Sequence, residues 1–378
     1  MAAWRFGVCI AGLGCLAMSA RAQSLEAGVA RVDITPTTGF ELVGYPGSGR
    51  VAEGARDPLY ARVLVLRAGA TRLALVDLDL IFLFGPSCMA QLREATRQDV
   101  SNLLVDAIHT HSGPSVFSGP STPEGAWQNA AAGKVAAAVH EAATRLVPVR
   151  LGVGYGAAFI GHNRLRVERD GSVTWFEKDW TGATLGTVDP TVAVLRIDDM
   201  GGSPIAILVN YACHPVIYQR DSRLYSADFP GVMTGVVEKA LGGKALCFYL
   251  QGGAGNINAN YAVSTLQQGA VEFCRQAGTE LGQVAAGVAR RIQTAAGADP
   301  SLQVADDTIA LKPRWDAQQW QAAAPQDARM IAEHTKAKYE LPVMTVLINR
   351  QIALVAMPGE PFVEFQMQWR AQCPVHDC

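Results

Sequence analysis

The chain has 378 residues, 49% of them hydrophobic and 17% charged, with a net charge of -2 at neutral pH. That composition supplies a large buried core, organised as one or two domains. It carries no basic run of the kind that binds nucleic acid, and beyond the N-terminus no stretch approaches the ~20 continuous apolar residues of a membrane span.

At the N-terminus Arg5 precedes an apolar run from Phe6 to Met18, and Ala20, Arg21 and Ala22 have the small-x-small form of a cleavage site. Residues 1–22 are therefore expected to be a signal peptide, leaving a secreted or periplasmic mature chain. Cys15 after Gly14 sits in a poor context for lipoprotein attachment. Six cysteines follow the cleavage site, too few to scaffold a chain of this length. Several lie in apolar strand patterns, where a thiol serves as a small core residue, and no pairing is read from them.

Taken in order, Arg62–Leu66 and Arg72–Leu78 read as paired strands across a turn containing Gly69. A helix over 88–97 and a strand over 102–108 follow. The Ala-rich pattern of 125–146 predicts a helix, with His140 as a surface or packing residue. A short strand at 151–155 precedes a hairpin of 192–197 and 205–212 around Gly201, Gly202, Ser203 and Pro204. Then come a helix over 229–240, a buried strand over 245–250 and a long amphipathic helix over 274–295. Strands near 343–348 and 352–358 close the chain. No repeat or low-complexity linker interrupts this alternation, so the expected fold is α/β, a single mixed-sheet domain over 23–378 flanked by helices.

Four segments run an apolar strand into polar residues at a turn. The first is Val105 to Ile108, leading to His109-Thr110-His111 and then Ser112-Gly113-Pro114. On a strand, residues i and i+2 share a face, so the two imidazoles can converge on one small object. The second is Ile207 to Cys213, which delivers His214 just before Pro215 ends the ladder. The third, Phe248 to Gln251, enters Gly252, Gly253, Ala254 and Gly255, whose N–H groups could face an oxyanion. The fourth, Ile352 to Met357, enters Pro358-Gly359-Glu360-Pro361. Alone, each has a plain explanation: a capping histidine, a tight turn, a surface charge. Together, two histidines and a glutamate form a ligand set for a catalytic zinc that keeps one position open. A two-metal alternative needs a bridging carboxylate, for which Asp77 and Asp79 are the candidates.

These motifs, with Arg31-Val32-Asp33-Ile34-Thr35-Pro36 and the Asn163-Arg164 step, resemble the neutral (alkaline, non-lysosomal) ceramidases over nearly all of the mature chain. The resemblance implies Zn²⁺ held by His109, His214 and Glu360, with His111 as the catalytic histidine and Arg164 polarising the amide carbonyl or steadying the oxyanion. It also implies an α/β fold related to zinc aminopeptidases, and zinc-assisted cleavage of the amide in ceramide to sphingosine and a fatty acid. Two departures stand beside it. The family's Gly-Asp-x-Ser-Pro-Asn reads Gly255-Asn256-Ile257-Asn258-Ala259-Asn260 here, so Asn258 replaces the nucleophilic serine, and an amide cannot act as an alkoxide. Hydrolysis must then use water activated by the metal, with Asn258 donating to an oxyanion or to substrate. The chain also ends 18 positions beyond Glu360, before the family's later tyrosines and its immunoglobulin-like domain, and is expected to be truncated. His376 lies too near the terminus to serve well as a substitute ligand. The reading is an exported zinc amidohydrolase acting on an N-acyl lipid or related small molecule, with transient contact at a membrane surface. The alternative is an exported ligand-binding homologue that has lost turnover.

Overall fold

The computed structural model describes residues 24–45, 47, 49–119, 121–176, 178–179, 186–313, 316–323 and 339–378. The expected signal peptide lies outside them. The chain begins with β1 (Leu25–Asp33), the short β2 (Gly54–Ala55), and the hairpin of β3 (Tyr60–Ala68) and β4 (Thr71–Leu78). It continues through α1 (Pro86–Thr96), β5 (Asn102–Ala107) and α2 (Pro123–Thr144). Next are β6 (Val147–Ala157), β7 (Gly161–Asn163), the small hairpin β8 (Leu165–Val167) and β9 (Val173–Trp175), and the long hairpin β10 (Thr191–Asp199) and β11 (Pro204–Tyr211). β12 (Leu224–Tyr225), α3 (Asp228–Ala240), β13 (Leu246–Gln251), β14 (Ile257–Ala259) and α4 (Ala270–Arg291) follow. The last elements are β15 (Leu302–Leu311), α5 (Ala317–Ala323), β16 (Tyr339–Ile348), β17 (Ile352–Ala356) and α6 (Val363–Gln372).

Each element expected from the sequence is present; β3, β6 and β10 run longer than expected, while β5 and β17 end short of the expected 108 and 358. β1, β15, α6, the short helix α5 and the short strands β2, β7, β8, β9, β12 and β14 were not expected. β15 carries Asp306 and Asp307 and is mostly exposed, and α6 buries only Val363, so neither shows a clear apolar face.

Eight strands form one mixed sheet in the order β13-β11-β10-β6-β1-β3-β4-β5. Its interior pairs are antiparallel, while β4–β5 and β11–β13 at the two ends are parallel. Strand alternation sends Val63, Val65 and Val76 into a core shared with Val135, Phe229 and Leu281 of the helices. Leu64, Leu66, Leu75 and Leu208 point the other way, against Val346, Ile348 and Ile352. Burial on both faces explains why β3 and β4 read as unbroken apolar runs. Helices α1 to α4 thus cover one face. The three-stranded sheet β15-β16-β17 covers the other, which differs from the expected helix-flanked sheet.

The two ends of the large sheet approach one another without a ladder between them. The free edge of β13 donates instead to side chains: Cys247 N–H to Glu238 (3.1 Å), Tyr249 N–H to Asp77 (3.1 Å) and Gln251 N–H to Asp106 (3.3 Å). Asp79 pairs with buried Arg62 at 2.7 Å and accepts from the Tyr60 N–H. Both candidate bridging carboxylates therefore have a partner inside the core, Asp77 through one oxygen only. Cys373 and Cys378 form a disulfide, and Cys88, Cys213, Cys247 and Cys274 are buried free thiols. Among the described residues no helix is long and apolar enough to cross a membrane.

Candidate metal centre

β5 stops at Ala107, so His109-Thr110-His111 is a turn and not the strand end expected from its alternation. His109 takes a left-handed conformation, φ 69°, which costs a non-glycine residue on the order of 1 kcal/mol. The turn nonetheless brings the rings together. His109 and His111 lie 5.3 Å apart between centroids, and His214 is 4.8 and 5.7 Å from them. One ring nitrogen from each lies within 4.8 Å of the others, a grouping able to hold a metal ion. Thr110 turns away and donates to the Ser226 carbonyl at 2.7 Å.

Hydrogen bonds behind the rings fix which nitrogen faces inward. His109 Nδ1 donates to the Ile81 carbonyl at 2.9 Å, and His214 Nδ1 to the Ala254 carbonyl at 2.6 Å. A carbonyl partner requires the proton on Nδ1, so each Nε2 presents a lone pair to the site. These lone pairs face the Glu360 carboxylate at 3.4 Å (His109) and 3.2 Å (His214). Burial disfavours the charged form of His214, and in His111 burial with the neighbouring His109 and His214 pushes protonation well below the ordinary range. Burial acts to raise Glu360, but His109 and His214 outweigh it and keep it a carboxylate. A carboxylate facing two imidazole lone pairs is repulsive unless a proton or a metal cation lies between them. Both His111 ring nitrogens and His109 Nε2 are buried without a hydrogen bond. The donor set therefore fits a metal ion, and it is of the nitrogen-and-oxygen type zinc accepts.

Arg164 stands beside this group, Nη2 3.7 Å from Glu360. It follows β7 and packs over the Trp175 ring at 4.2 Å. Its Nε and Nη2 donate to the Gly255 carbonyl (3.1 and 2.7 Å), and Nη1 donates to Asn258 Oδ1 at 3.2 Å. Asn258 is buried on β14, where its backbone bridges to His214. His140 is exposed and paired with Asp99, and His376 is exposed and bonded to Asp377, outside the group.

The glycine-rich segment does not present an oxyanion cradle. Its N–H groups are taken: Gly252 by Tyr211, Gly253 by the Gln366 side chain, Ala254 by Gly252 and Gly255 by Pro361. The segment instead admits close backbone packing. A Cβ on Gly255 would lie 2.2 Å from the Glu360 carbonyl oxygen, and one on Gly253 2.9 Å from that of Phe362. Asn256, in the family's aspartate position, accepts from the Val363 N–H and donates to Glu364, both at 2.9 Å. It ties the first turn of α6 to the strand that leads to Asn258.

Several contributors escaped the sequence reading. Tyr45 packs edge-on against His111 at 5.4 Å, and Phe82 against His109 at 6.1 Å. Gly44, at φ 109°, lets the chain pass where a Cβ would lie 2.6 Å from the His111 ring. Phe82 meets Phe117 at 5.1 Å, and both are partly exposed. His109, His214 and Glu360 border a cavity of about 1330 Å³ whose walls include Leu104, Leu195, Leu208, Met344, Leu354 and Phe365. An exposed aromatic on a loop was the one signal available for Phe82 and Phe117.

The model of the neutral/alkaline non-lysosomal ceramidase N-terminal domain matches residues 25–265, a segment that contains His109, His111, Arg164, His214 and Asn258 but not Glu360. The neutral ceramidase of Pseudomonas aeruginosa is 27% identical over 267 residues, covering 65% of this chain and 39% of that protein. The chain thus spans about two fifths of the length of this curated relative. The crystal structure of neutral ceramidase from Pseudomonas aeruginosa superposes with a TM-score of 0.72 at 19% identity, covering 92% of this chain and 64% of that one. A ceramidase complexed with C2 gives 0.70 at 18% identity, covering 92% and 65%. The mixed α/β architecture with its large central sheet is shared with these structures.

Proposed function

Because this chain belongs to the neutral/alkaline non-lysosomal ceramidase family, we propose that it is a zinc-dependent hydrolase of an amide bond, with a ceramide-like N-acyl lipid as its leading substrate. The observation that carries this is the convergence of the inward-facing Nε2 atoms of His109 and His214 on the Glu360 carboxylate at 3.4 and 3.2 Å. These three residues would hold the zinc. Bound there, it supplies a Lewis acid that polarises an acyl carbonyl and acidifies water.

The rest of the chemistry belongs to the chain. His111 is neutral and its ring nitrogens are free of other partners. It suits the removal of a proton from the attacking water and its delivery to the departing amine nitrogen. Amide and water thereby become a carboxylic acid and an amine. Arg164, anchored by Gly255 and Asn258, places a fixed positive charge where the acyl oxygen gains negative charge. Asn258 offers no hydroxyl, so no acyl-enzyme forms at that position, and its side chain serves to orient Arg164. The apolar cavity and exposed Phe82, Phe117 and Phe365 suit a hydrocarbon chain and a transient approach to a membrane surface. The N-terminal pattern of residues 5–22 supports export.

The asparagine at position 258 favours a second reading, a ligand-binding homologue without turnover. Elemental analysis of the purified protein with a screen of N-acyl substrates separates the two. The hydrolase reading expects stoichiometric zinc, loss of most of it in His214→Ala, and release of free amine from at least one N-acyl lipid. Zinc with no turnover on any substrate, in the parent and in Asn258→Ser alike, would leave the binding reading. Undiminished zinc in His214→Ala would overturn the ligand assignment.

A further inference from the structure

The strands that deliver the two histidines lie at opposite regions of the large sheet. β5 is one end strand and β11 is next to the other, and no ladder joins β5 to β13 across the gap. The β11–β13 ladder ends at the Tyr211–Gln251 pair. Beyond these points, regular strand pairing does not set the distance between the segments that carry His109 and His214.

Past the histidines one backbone bond joins the segments, His111 N–H to the Pro215 carbonyl at 3.1 Å; ahead of them a single side chain spans the gap. The Gln251 amide nitrogen donates to the Ile108 carbonyl and to the Cys213 carbonyl, both at 3.1 Å. Ile108 and Cys213 are the residues immediately before His109 and His214. The amide oxygen accepts from the Tyr249 hydroxyl at 3.3 Å and from the Gly252 N–H at 3.1 Å. Its own backbone N–H reaches Asp106 on β5 at 3.3 Å. Two donated and two accepted bonds exhaust what a primary amide can make. Its orientation is therefore determined, since only the NH₂ end can serve two carbonyls.

We propose that Gln251 is a positioning residue that fixes the separation of the His109 and His214 rings by bridging the backbone just ahead of each. The proposal rests on the reading of those histidines as metal ligands. An acid at this position cannot donate to both carbonyls, and an aliphatic residue leaves both unpaired. Either change leaves the His111 to Pro215 backbone bond as the remaining tie and loosens the backbone ahead of both rings; supports that orient metal ligands typically carry 10–100-fold in metal affinity.

The test uses Gln251→Leu and the near-isosteric Gln251→Glu, so that one folded variant remains if the other fails. Folding is checked by circular dichroism. Zinc affinity is measured by chelator competition, and coordination is read from the visible absorption of the Co²⁺-loaded protein, which a purely structural role would leave unchanged. The expected result is a 10–100-fold weaker zinc affinity with an altered Co²⁺ band. Wild-type affinity and an unchanged band in a folded variant overturn the proposal. His214→Ala in the same series shows whether the histidines are ligands at all. If it binds zinc like the parent, hydrogen exchange of metal-free protein decides: Gln251→Leu must exchange faster at the His109, His111 and His214 amides, and equal protection refutes the brace.

Discussion

Gly255→Ala is the substitution whose effect follows most directly from the geometry. The added Cβ would sit 2.2 Å from the Glu360 carbonyl oxygen, 2.8 Å from the Phe362 ring and 3.0 Å from the Glu360 carbonyl carbon. The Phe362 ring could turn aside, but the nearest obstacle is backbone, so no rotamer change relieves that clash. Restoring van der Waals contact requires the segment to retreat by about 1 Å. The Gly255 N–H is bonded to Pro361 and its carbonyl receives two Arg164 nitrogens, so the strain passes to Glu360 and Arg164 together. Displacement of a ligand or catalytic group by ~1 Å commonly costs about 100-fold. Zinc affinity and turnover should each fall by about that factor while the circular dichroism spectrum is retained. Gly133→Ala is the control. Gly133 lies in α2 with nothing within 4 Å of its added methyl, and the change should stabilise by roughly 0.5–1 kcal/mol. Wild-type zinc affinity in Gly255→Ala would refute the claim that this close approach positions Glu360.

Other outcomes follow from the same structure. His111→Ala and Arg164→Ala should lower turnover by roughly 10²–10⁴-fold with metal content intact; loss of zinc from the His111 variant would make that residue a ligand. Asn256→Asp sets a carboxylate against Glu364 where an amide now donates at 2.9 Å, and should cost about 1–3 kcal/mol in urea denaturation, recovered by adding Glu364→Gln. Burial raises Asp228 from 3.8 to about 7, against hydrogen bonds from the Phe229, Tyr218 and Ile217 N–H groups, so the folded chain holds a proton the unfolded chain releases. This contribution is complete below about pH 4 and is lost as the pH rises to 7, at up to ~1.4 kcal/mol per pH unit. Asp228→Asn should remove that share of the slope in metal-free protein; an identical slope would contradict it.

The residues that converge at the candidate site could be singled out because each lies just beyond a strand. His109, His214 and Glu360 each follow an apolar run and meet a proline or glycine that stops it, so local pattern was enough to single them out. The local geometry was less accessible. A left-handed His109 is set by the packing of its turn, and nothing in the tripeptide distinguishes it from a strand end. The glycines at 252–255 read as available donors because the groups that take the Gly253 and Gly255 N–H, the Gln366 side chain and the Pro361 carbonyl, are more than 100 residues away. Gln251 was invisible for the same reason: its two carbonyl partners are 143 and 38 positions distant. Asp77 and Asp79 looked like bridging ligands, since their alternation cannot reveal that Tyr249 and Arg62 claim them from other strands.

The carboxylates along β13 bear on how copies of this chain meet one another. An open sheet offers its outermost strand as a template on which a foreign strand can be added, the usual start of aggregation. Here Cys247, Tyr249 and Gln251, spaced by two, have each given their N–H to an acid. An arriving strand would find those donors spent. The same contacts that draw the two ends of the sheet together thus also plug one of its rims against self-association.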